Sequence, residues 1–372
     1  MLRQVTLEDI EPISLGAGIL GTGGGGNPYL GALHLREVMR RAGPAPIVDP
    51  FELADDALVP MIGFIGAPTA SIEKIHEGTE LLAAVRLLEK HAGRKMDALG
   101  IAEIGGANSM GPLVTSLQAG IPVVDCDSMG RAFPELPMSV FLFEANASVT
   151  PLAMVDSGGN SVVIPHTVSA VWAERLARNL ATSMGATAGL ACCIVTGRQI
   201  KQYGIHYTLS LAHHVGRRVL QAQDAGDDVP DAIADILNGR IFMRGKIVDV
   251  NRRTTRGFAR GTLAIEGFGA MPDSLYIEFQ NEFLIVYLNG EVIATVPDLI
   301  CIVTEDTGEP VSTEVLRYGM RVAVLGVPAA AQLKTPAALQ VVGPRAFGYD
   351  VDFTPLPGNS IGVDFRVQHP AS

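Results

Sequence analysis

The chain is poor in charge, and poorest in positive charge. Charged residues make up 18% of its 372 residues, with 28 Lys and Arg against 39 Asp and Glu and a net charge of −11. That balance excludes nucleic acid and anionic membrane surfaces as the main partner. The four cysteines, Cys126, Cys192, Cys193 and Cys301, lack metal-ligand spacing, and the adjacent pair makes an awkward disulfide. Reduced thiols of a cytoplasmic protein are the expectation. The longest apolar run, Ala57 to Ala70, is too short to span a bilayer and is broken by Pro60, Gly63 and Gly66. Glu8, Asp9 and Glu11 stand near the start without a basic stretch, so no secretory signal is expected. Internal repeats and low-complexity linkers are missing too.

What the chain has is apolar bulk and turns: 48% hydrophobic residues, 41 glycines and 23 prolines. This is the composition of a compact globular enzyme with two or three domains. Its most distinctive stretch is Gly16-Ala-Gly-Ile-Leu-Gly-Thr-Gly-Gly-Gly-Gly-Asn-Pro-Tyr29. Gly23, Gly24, Gly25 and Gly26 open positive φ angles, and Asn27-Pro28 reads as the cap and first residue of a helix. A bare loop feeding a helix start exposes N–H groups that suit an anion or a carbonyl oxygen. Gly16-x-Gly18-x-x-Gly21 is formally a dinucleotide fingerprint, but no strand precedes it, and no Gly-Lys-Ser/Thr ending marks a P-loop. A nucleotide cofactor is therefore not expected.

Two helices are predicted around this loop, from Thr6, as N-cap, to about Leu20 and from Tyr29 to Arg41. Apolar runs at Leu58–Ile65, Asp97–Ile104 and Ile121–Asp125 alternate with helical stretches near Leu81–Leu88 and Val114–Ala119. That alternation predicts an α/β fold, a mainly parallel sheet with both faces covered, whose site gathers beyond the carboxyl ends of the strands. Thr69, Glu103 to Asn108 and Asp125 to Arg131 fall there. A hairpin over 149–164, a helix with the apolar residues Trp172, Leu176 and Leu180 at four-residue spacing, and a helix over 207–221 follow. After about Arg240 the segments are short, alternating and β-prone, with Asn289-Gly290 as a hairpin turn, which predicts a smaller barrel or sandwich. The expected division is 1–240 for an α/β domain carrying the site, 241–345 for a β-rich domain, and 346–372 for an irregular tail.

The sharpest chemical constellation is Asp125-Cys-Asp127 followed by Gly130-Arg131 and Glu135. On an extended strand Asp125 and Asp127 share one side and Cys126 takes the other. Two carboxylates leaving a buried strand together call for a cation, a base or a shared proton. Either they activate water and grip ring N–H groups with Arg131 as partner, or they form a structural salt bridge. Glu103, Gly105, Gly106 and Asn108 add a third carboxylate, an amide and a second close-approach loop. A divalent metal at Glu103, Asp125 and Asp127 stays open, although no spacing demands it. His76, His166, His206, His213 and His214 form no metal pattern. Arg252, Arg253, Arg256 and Arg260 make a basic hairpin whose default reading is solvation, with an anion-gripping role as the alternative. Glu278-Phe-Gln-Asn-Glu282 is polar for a strand junction and is expected to reach across to the first domain.

Taken together, Leu20-Gly-Thr-Gly-Gly-Gly-Gly-Asn-Pro-Tyr29, Glu103-Ile-Gly-Gly-Ala-Asn108, Asp125-x-Asp127 with Gly130-Arg-Ala-x-Pro-Glu135, Phe279-Gln-Asn-Glu282, Pro297-Asp-Leu-Ile300 and Gly343-Pro-Arg-Ala-Phe-Gly-Tyr349 resemble the S-methyl thiohydantoin desulfurase-like family. The resemblance runs from about Asp9 to Tyr349. It implies an N-terminal three-layer α/β sandwich, a β-rich C-terminal domain, and hydantoinase/oxoprolinase-type proteins as companions. It also implies hydrolytic loss of methanethiol from a hydantoin-like ring, with a homo-oligomer left open. On that chemistry Asp125 or Asp127 is the base, Glu103 the second carboxylate and Arg131 the charge-setting partner. Gly23 to Gly26, Asn27, Gly105, Gly106, Asn108 and Glu135 then bind the substrate. The competing expectation is a non-catalytic binding or scaffolding subunit of such a complex.

Overall fold

Apolar runs of four to nine residues punctuated by glycine and proline give two sheets. The structure, a computed structural model, describes residues 1–66, 76–255, 258–269 and 273–360. Thr69 and Arg256, singled out above, and the end of the tail lie outside the described residues.

The first sheet contains β1 (Gln4–Val5), β2 (Ala45–Val48), β3 (Leu58–Gly66), β4 (Leu99–Ile101), β5 (Val123–Asp127), β6 (Leu152–Val155), β7 (Ser161–Ile164), β8 (Thr187–Thr196) and β9 (Ile205–His206). Its order is β1-β2-β5-β4-β3-β8-β6-β7, with β9 also on β5. The central run β2-β5-β4-β3 is parallel, and the strands beyond it pair antiparallel, so the sheet is mixed around a parallel centre. Helices cover it, as expected for strands that are apolar on both faces. The parallel strands run the same way and end at Val48, Gly66, Ile101 and Asp127, with Ile101 level with Asp127 and Gly66 reaching furthest.

The second sheet contains β10 (Arg240–Thr255), β11 (Phe258–Gly267), β12 (Ser274–Gln280), β13 (Glu282–Leu288), β14 (Glu291–Thr295), β15 (Leu299–Thr304) and β16 (Arg321–Val327). It is wholly antiparallel in the order β14-β13-β12-β11-β10-β16-β15, and it curls into a half-barrel that brings β13 against β15. Asn289 and Gly290 take φ of 51° and 88° at the β13–β14 turn, the left-handed pair that such a hairpin needs. Alternation along this sheet feeds two different cores. Ile300, Ile302, Val322 and Val324 fill the curl, while Leu299, Cys301, Val303, Ala323 and Leu325 join the core of the first sheet. That double burial explains why Leu299–Val303 reads as an unbroken apolar run.

Two expectations need correction. The first helix starts at Ile10, four residues past Thr6, because both the Thr6 N–H and its hydroxyl bond to Asp9 Oδ2 ahead of the helix. The strand expected over Asp97–Ile104 is only Leu99–Ile101, since Glu103 and the glycines after it already turn away. The helix Ala170–Ser183 buries Ala173, Ala177 and Ala181, and leaves Trp172 and Leu176 half in solvent. The inward stripe is one residue, about 100°, away from the bulky one. Small residues let this helix lie close to β3 and β8.

Candidate active site

The helix Pro28–Ala42 begins as the sequence predicts: the Asn27 side chain accepts from the Tyr29 N–H at 2.9 Å, and Pro28 follows. The glycine loop before it is wedged between the two sheets. The Thr22 carbonyl accepts from Phe283 N–H at 2.9 Å, and the Gly23 carbonyl from Thr313 N–H at 2.9 Å. On its other side the Gly25 carbonyl accepts from Asn108 N–H at 3.2 Å and the Gly26 carbonyl from Ala107 N–H at 3.3 Å. The N–H groups of Gly25, Gly26 and Asn27 have no acceptor among the described residues, and all three residues line a cavity of about 510 Å³.

The two glycine loops meet backbone to backbone. A Cβ on Gly25 would sit 2.2 Å from the Gly105 carbonyl oxygen, and one on Gly106 would sit 2.3 Å from that of Gly26. Gly105 and Gly106 therefore serve loop packing, and the close approach read from the sequence is to protein rather than to the cavity. Gly23 and Gly24 press on the second sheet, where added Cβ atoms would lie 2.6 Å from the Phe283 ring and 2.0 Å from Glu282 Oε1.

Glu103 and Asn108 do reach the cavity. Asn108 Nδ2 donates to Glu103 Oε1 at 2.6 Å, Phe133 N–H donates to Oε2 at 3.0 Å, and Asn108 Oδ1 accepts from Phe64 N–H at 2.8 Å. Burial pushes the Glu103 carboxyl up to about 7 against those donors. The Glu282 side chain, from the first residue of β13, joins it in the same lining. Glu282 is 2% exposed, its Oε2 has no hydrogen-bond partner, and burial followed by the neighbouring Glu103 raises it well above the usual carboxylate range. Glu135 lines the wall, raised by burial and by Glu174. His34 and His76 stand at another part of the lining, His76 stacked on Phe64 at 4.0 Å. Burial lowers His34. Arg178 faces the cavity but is spent on Glu174, Gly66 and Pro134.

Asp125, Asp127 and Arg131 stand outside this lining. The two aspartates do share one side of β5, as alternation requires, and Cys126 is buried on the other beside Gly204. Asp125 caps the helix Thr208–Ala225, accepting from Leu209 N–H at 3.0 Å, Ser210 N–H at 3.2 Å and the Ser210 hydroxyl. Asp127 Oδ2 accepts from Ile104 N–H at 2.8 Å and Gly130 N–H at 2.9 Å, pinning the turns that carry Glu103 and Arg131. Burial pushes Asp125 up to about 6 and Asp127 to about 7. Arg131, fully buried, does not pair with either. It donates to Thr22 Oγ1 at 2.7 Å and to the carbonyls of Ala132, Pro297, Asp298 and Phe283. Burial lowers it to about 10. Among the described residues no group of three or more His, Cys, Asp or Glu is arranged to hold a metal ion, so the carboxylate trio left open above is not assembled.

Two family models match the chain, S-Me-THD-like N-terminal domain over residues 8–166 and S-Me-THD-like C-terminal domain over 168–356. The chain belongs to the S-methyl thiohydantoin desulfurase-like family. Among curated proteins none matches the sequence. A crystal structure of a protein from Chromobacterium violaceum, a structural-genomics target, is similar at 25% identity with a TM-score of 0.80, covering 95% of this chain and 99% of its own. Of the charged and titratable residues that line the cavity, Glu282, His34 and Arg178 are not among the candidates the sequence offered. The signal for Glu282 is the polar junction Glu278 to Glu282, and Asn281 and Glu282 do reach the first sheet's cavity. No helix among the described residues is long and apolar enough to cross a membrane.

Proposed function

We propose that the protein is an enzyme that hydrolyses an S-methylated thiohydantoin-like ring, with Glu103 and Glu282 as its acid–base pair. The observation that carries this reading is two buried carboxyls, one anchored and one unpartnered, in one cavity beside free glycine N–H groups. Carboxyls whose surroundings separate their proton affinities divide into base and acid. Glu103, held by Asn108 and Phe133, takes a proton from water as the water oxygen bonds to the ring carbon bearing sulfur. Glu282, neutral, gives its proton to the adjacent ring nitrogen. The tetrahedral adduct then returns its hydroxyl proton to Glu282 as the carbonyl forms and the C–S bond breaks. Methanethiolate leaves with the proton held on Glu103. The N–H groups of Gly25 and Gly26 stabilise developing negative charge.

Thiol release from an S-methyl thiohydantoin tests this directly. Turnover by the native protein and its loss in Glu103→Gln and Glu282→Gln, with folding retained, are expected. Turnover surviving both substitutions would remove the pair from the role. The half-exposed face of Val171, Trp172 and Leu176 favours a second reading, a subunit that docks on a hydantoinase/oxoprolinase-type protein. No thiol release by the isolated chain, restored by such a partner, would support it.

A further inference from the structure

The basic hairpin singled out in the sequence is not absorbed by the active-site reading, and its register is informative. Arg253 on β10 stands directly opposite Arg260 on β11, and Arg260 opposite Gln280 on β12. One step along, Asn251 stands opposite Thr262, and Thr262 opposite Glu278. Side chains directly opposite share a face, so these six form two polar rows about 7 Å apart. They line a pocket of about 300 Å³, which Phe347 and Tyr349 wall from the C-terminal side.

Like charges directly opposite on neighbouring strands destabilise a sheet unless something neutralises them. Among the described residues neither Arg253 nor Arg260 has a salt bridge or side-chain hydrogen bond. Gln280 lines the pocket, and its side-chain amide makes no hydrogen bond among the described residues, so it is open to whatever enters there. Glu278, in the next row, has only the Tyr287 hydroxyl at 3.4 Å. Tyr349 is close enough to both rows that Glu278 raises its phenol and Arg260 lowers it, beneath a larger upward effect of burial.

We propose that this pocket binds a free α-amino acid. The carboxylate lies between Arg253 and Arg260 and accepts from the Gln280 amide, where two guanidinium forks match its oxygens. The ammonium lies toward Glu278, and the side chain rests on Phe347 and Tyr349. A phosphate would use the arginines and gain nothing from Glu278, so the acidic residue selects the zwitterion. The site is separate from the Glu103–Glu282 cavity. Gln280 opens to one, and Asn281 and Glu282, next along the chain, open to the other. The proposal does not depend on the hydantoin chemistry.

Calorimetric titration of the full chain at low salt tests it with three probes: L-phenylalanine, N-acetyl-L-phenylalanine and inorganic phosphate. Saturable binding of the free amino acid is expected, at least about tenfold tighter than either other probe. Arg260→Gln should weaken it about tenfold or more, and Glu278→Gln should erase the preference over the N-acetyl form. Both side chains sit at the surface or half-exposed, so unchanged thermal melting checks that folding is kept. No binding of the amino acid, or phosphate binding as tight and indifferent to Glu278→Gln, would overturn the proposal.

Discussion

The Arg131 guanidinium donates to the Thr22 hydroxyl at 2.7 Å, across 109 residues of sequence. Thr22 holds a left-handed backbone, φ 51°, at the mouth of the glycine loop, and the same guanidinium reaches the Phe283 and Asp298 carbonyls of the second sheet. Arg131 is thus the joint between loop, strand-end turn and half-barrel. Arg131→Lys keeps the charge but loses the fork. It should cost about 3–5 kcal/mol, the scale for breaking a buried charged network. Thr22→Val should cost about 1–3 kcal/mol through one orphaned donor. Urea unfolding of both variants measures this, and a loss under 1 kcal/mol for Arg131→Lys would contradict the assignment.

Two glycines of the same loop, Gly24 and Gly26, should respond differently to alanine. At Gly24 the added methyl would meet Glu282 Oε1 at 2.0 Å, so Gly24→Ala should displace that carboxyl and cut thiol release by about a hundredfold or more. At Gly26 the nearest atom is 3.5 Å away, but φ is +82°, so Gly26→Ala should cost about 1–2 kcal/mol of stability and spare more of the activity. Parallel melting curves and rates distinguish the two outcomes.

The pH dependence of turnover should be bell-shaped. Glu103 must be ionised as base, so activity rises through about pH 7. Glu282 must stay protonated as acid, and its carboxyl is raised well above the ordinary range, so the falling limb lies at higher pH. A profile that falls with pH across neutrality would remove Glu103 from the role of base.

Stability should decline over the same range. Glu103, Asp125 and Asp127 hold protons more tightly folded, at about 7, 6 and 7, than unfolded near 4. Their contribution is full below about pH 4 and is lost as pH rises through 6 to 7. Glu80, lowered to about 2, acts oppositely, adding stability that is lost only as pH falls below about 4. Melting temperature should therefore drop from pH 5 to pH 8, and Glu103→Gln should make that drop shallower by about 3 kcal/mol in free energy at most.

Asp125 should behave as a cap and not as a catalyst. Asp125→Ala leaves the Leu209 and Ser210 N–H groups without their acceptor and should cost about 1–2 kcal/mol, with kcat little changed at a temperature where the variant is folded. A kcat collapse without destabilisation would return Asp125 to the chemistry.

Local signals in the sequence were enough for the fold's elements: Asn27-Pro28 at a helix start, Asn289-Gly290 at a hairpin, alternation in β10 to β16. They also placed Glu103 and Asn108 at a strand end. What the sequence could not separate was a carboxylate facing a cavity from one facing backbone N–H groups. Asp125, Asp127 and Glu103 look alike in one dimension, and only the position of the helix Thr208–Ala225, far along the chain, turns Asp125 inward to its N-terminus. Trp172 and Leu176 misled for a related reason. Bulk suggests burial, but close approach to the sheet selected the alanines.

The order of the first sheet carries one more consequence. β8 runs between β3 and β6, so the β6–β7 hairpin reaches the sheet only through a strand that comes later in the chain. The boundary between the two family models, near residue 167, falls before that strand. A nascent chain that has emerged only to that boundary has a hairpin with nothing to pair with and an open β3 edge. Glu103 waits as well, because Glu282 has not been made. Folding of the first sheet and completion of the cavity are thus late events, and cutting the gene at the family boundary would yield two halves that need each other in order to fold.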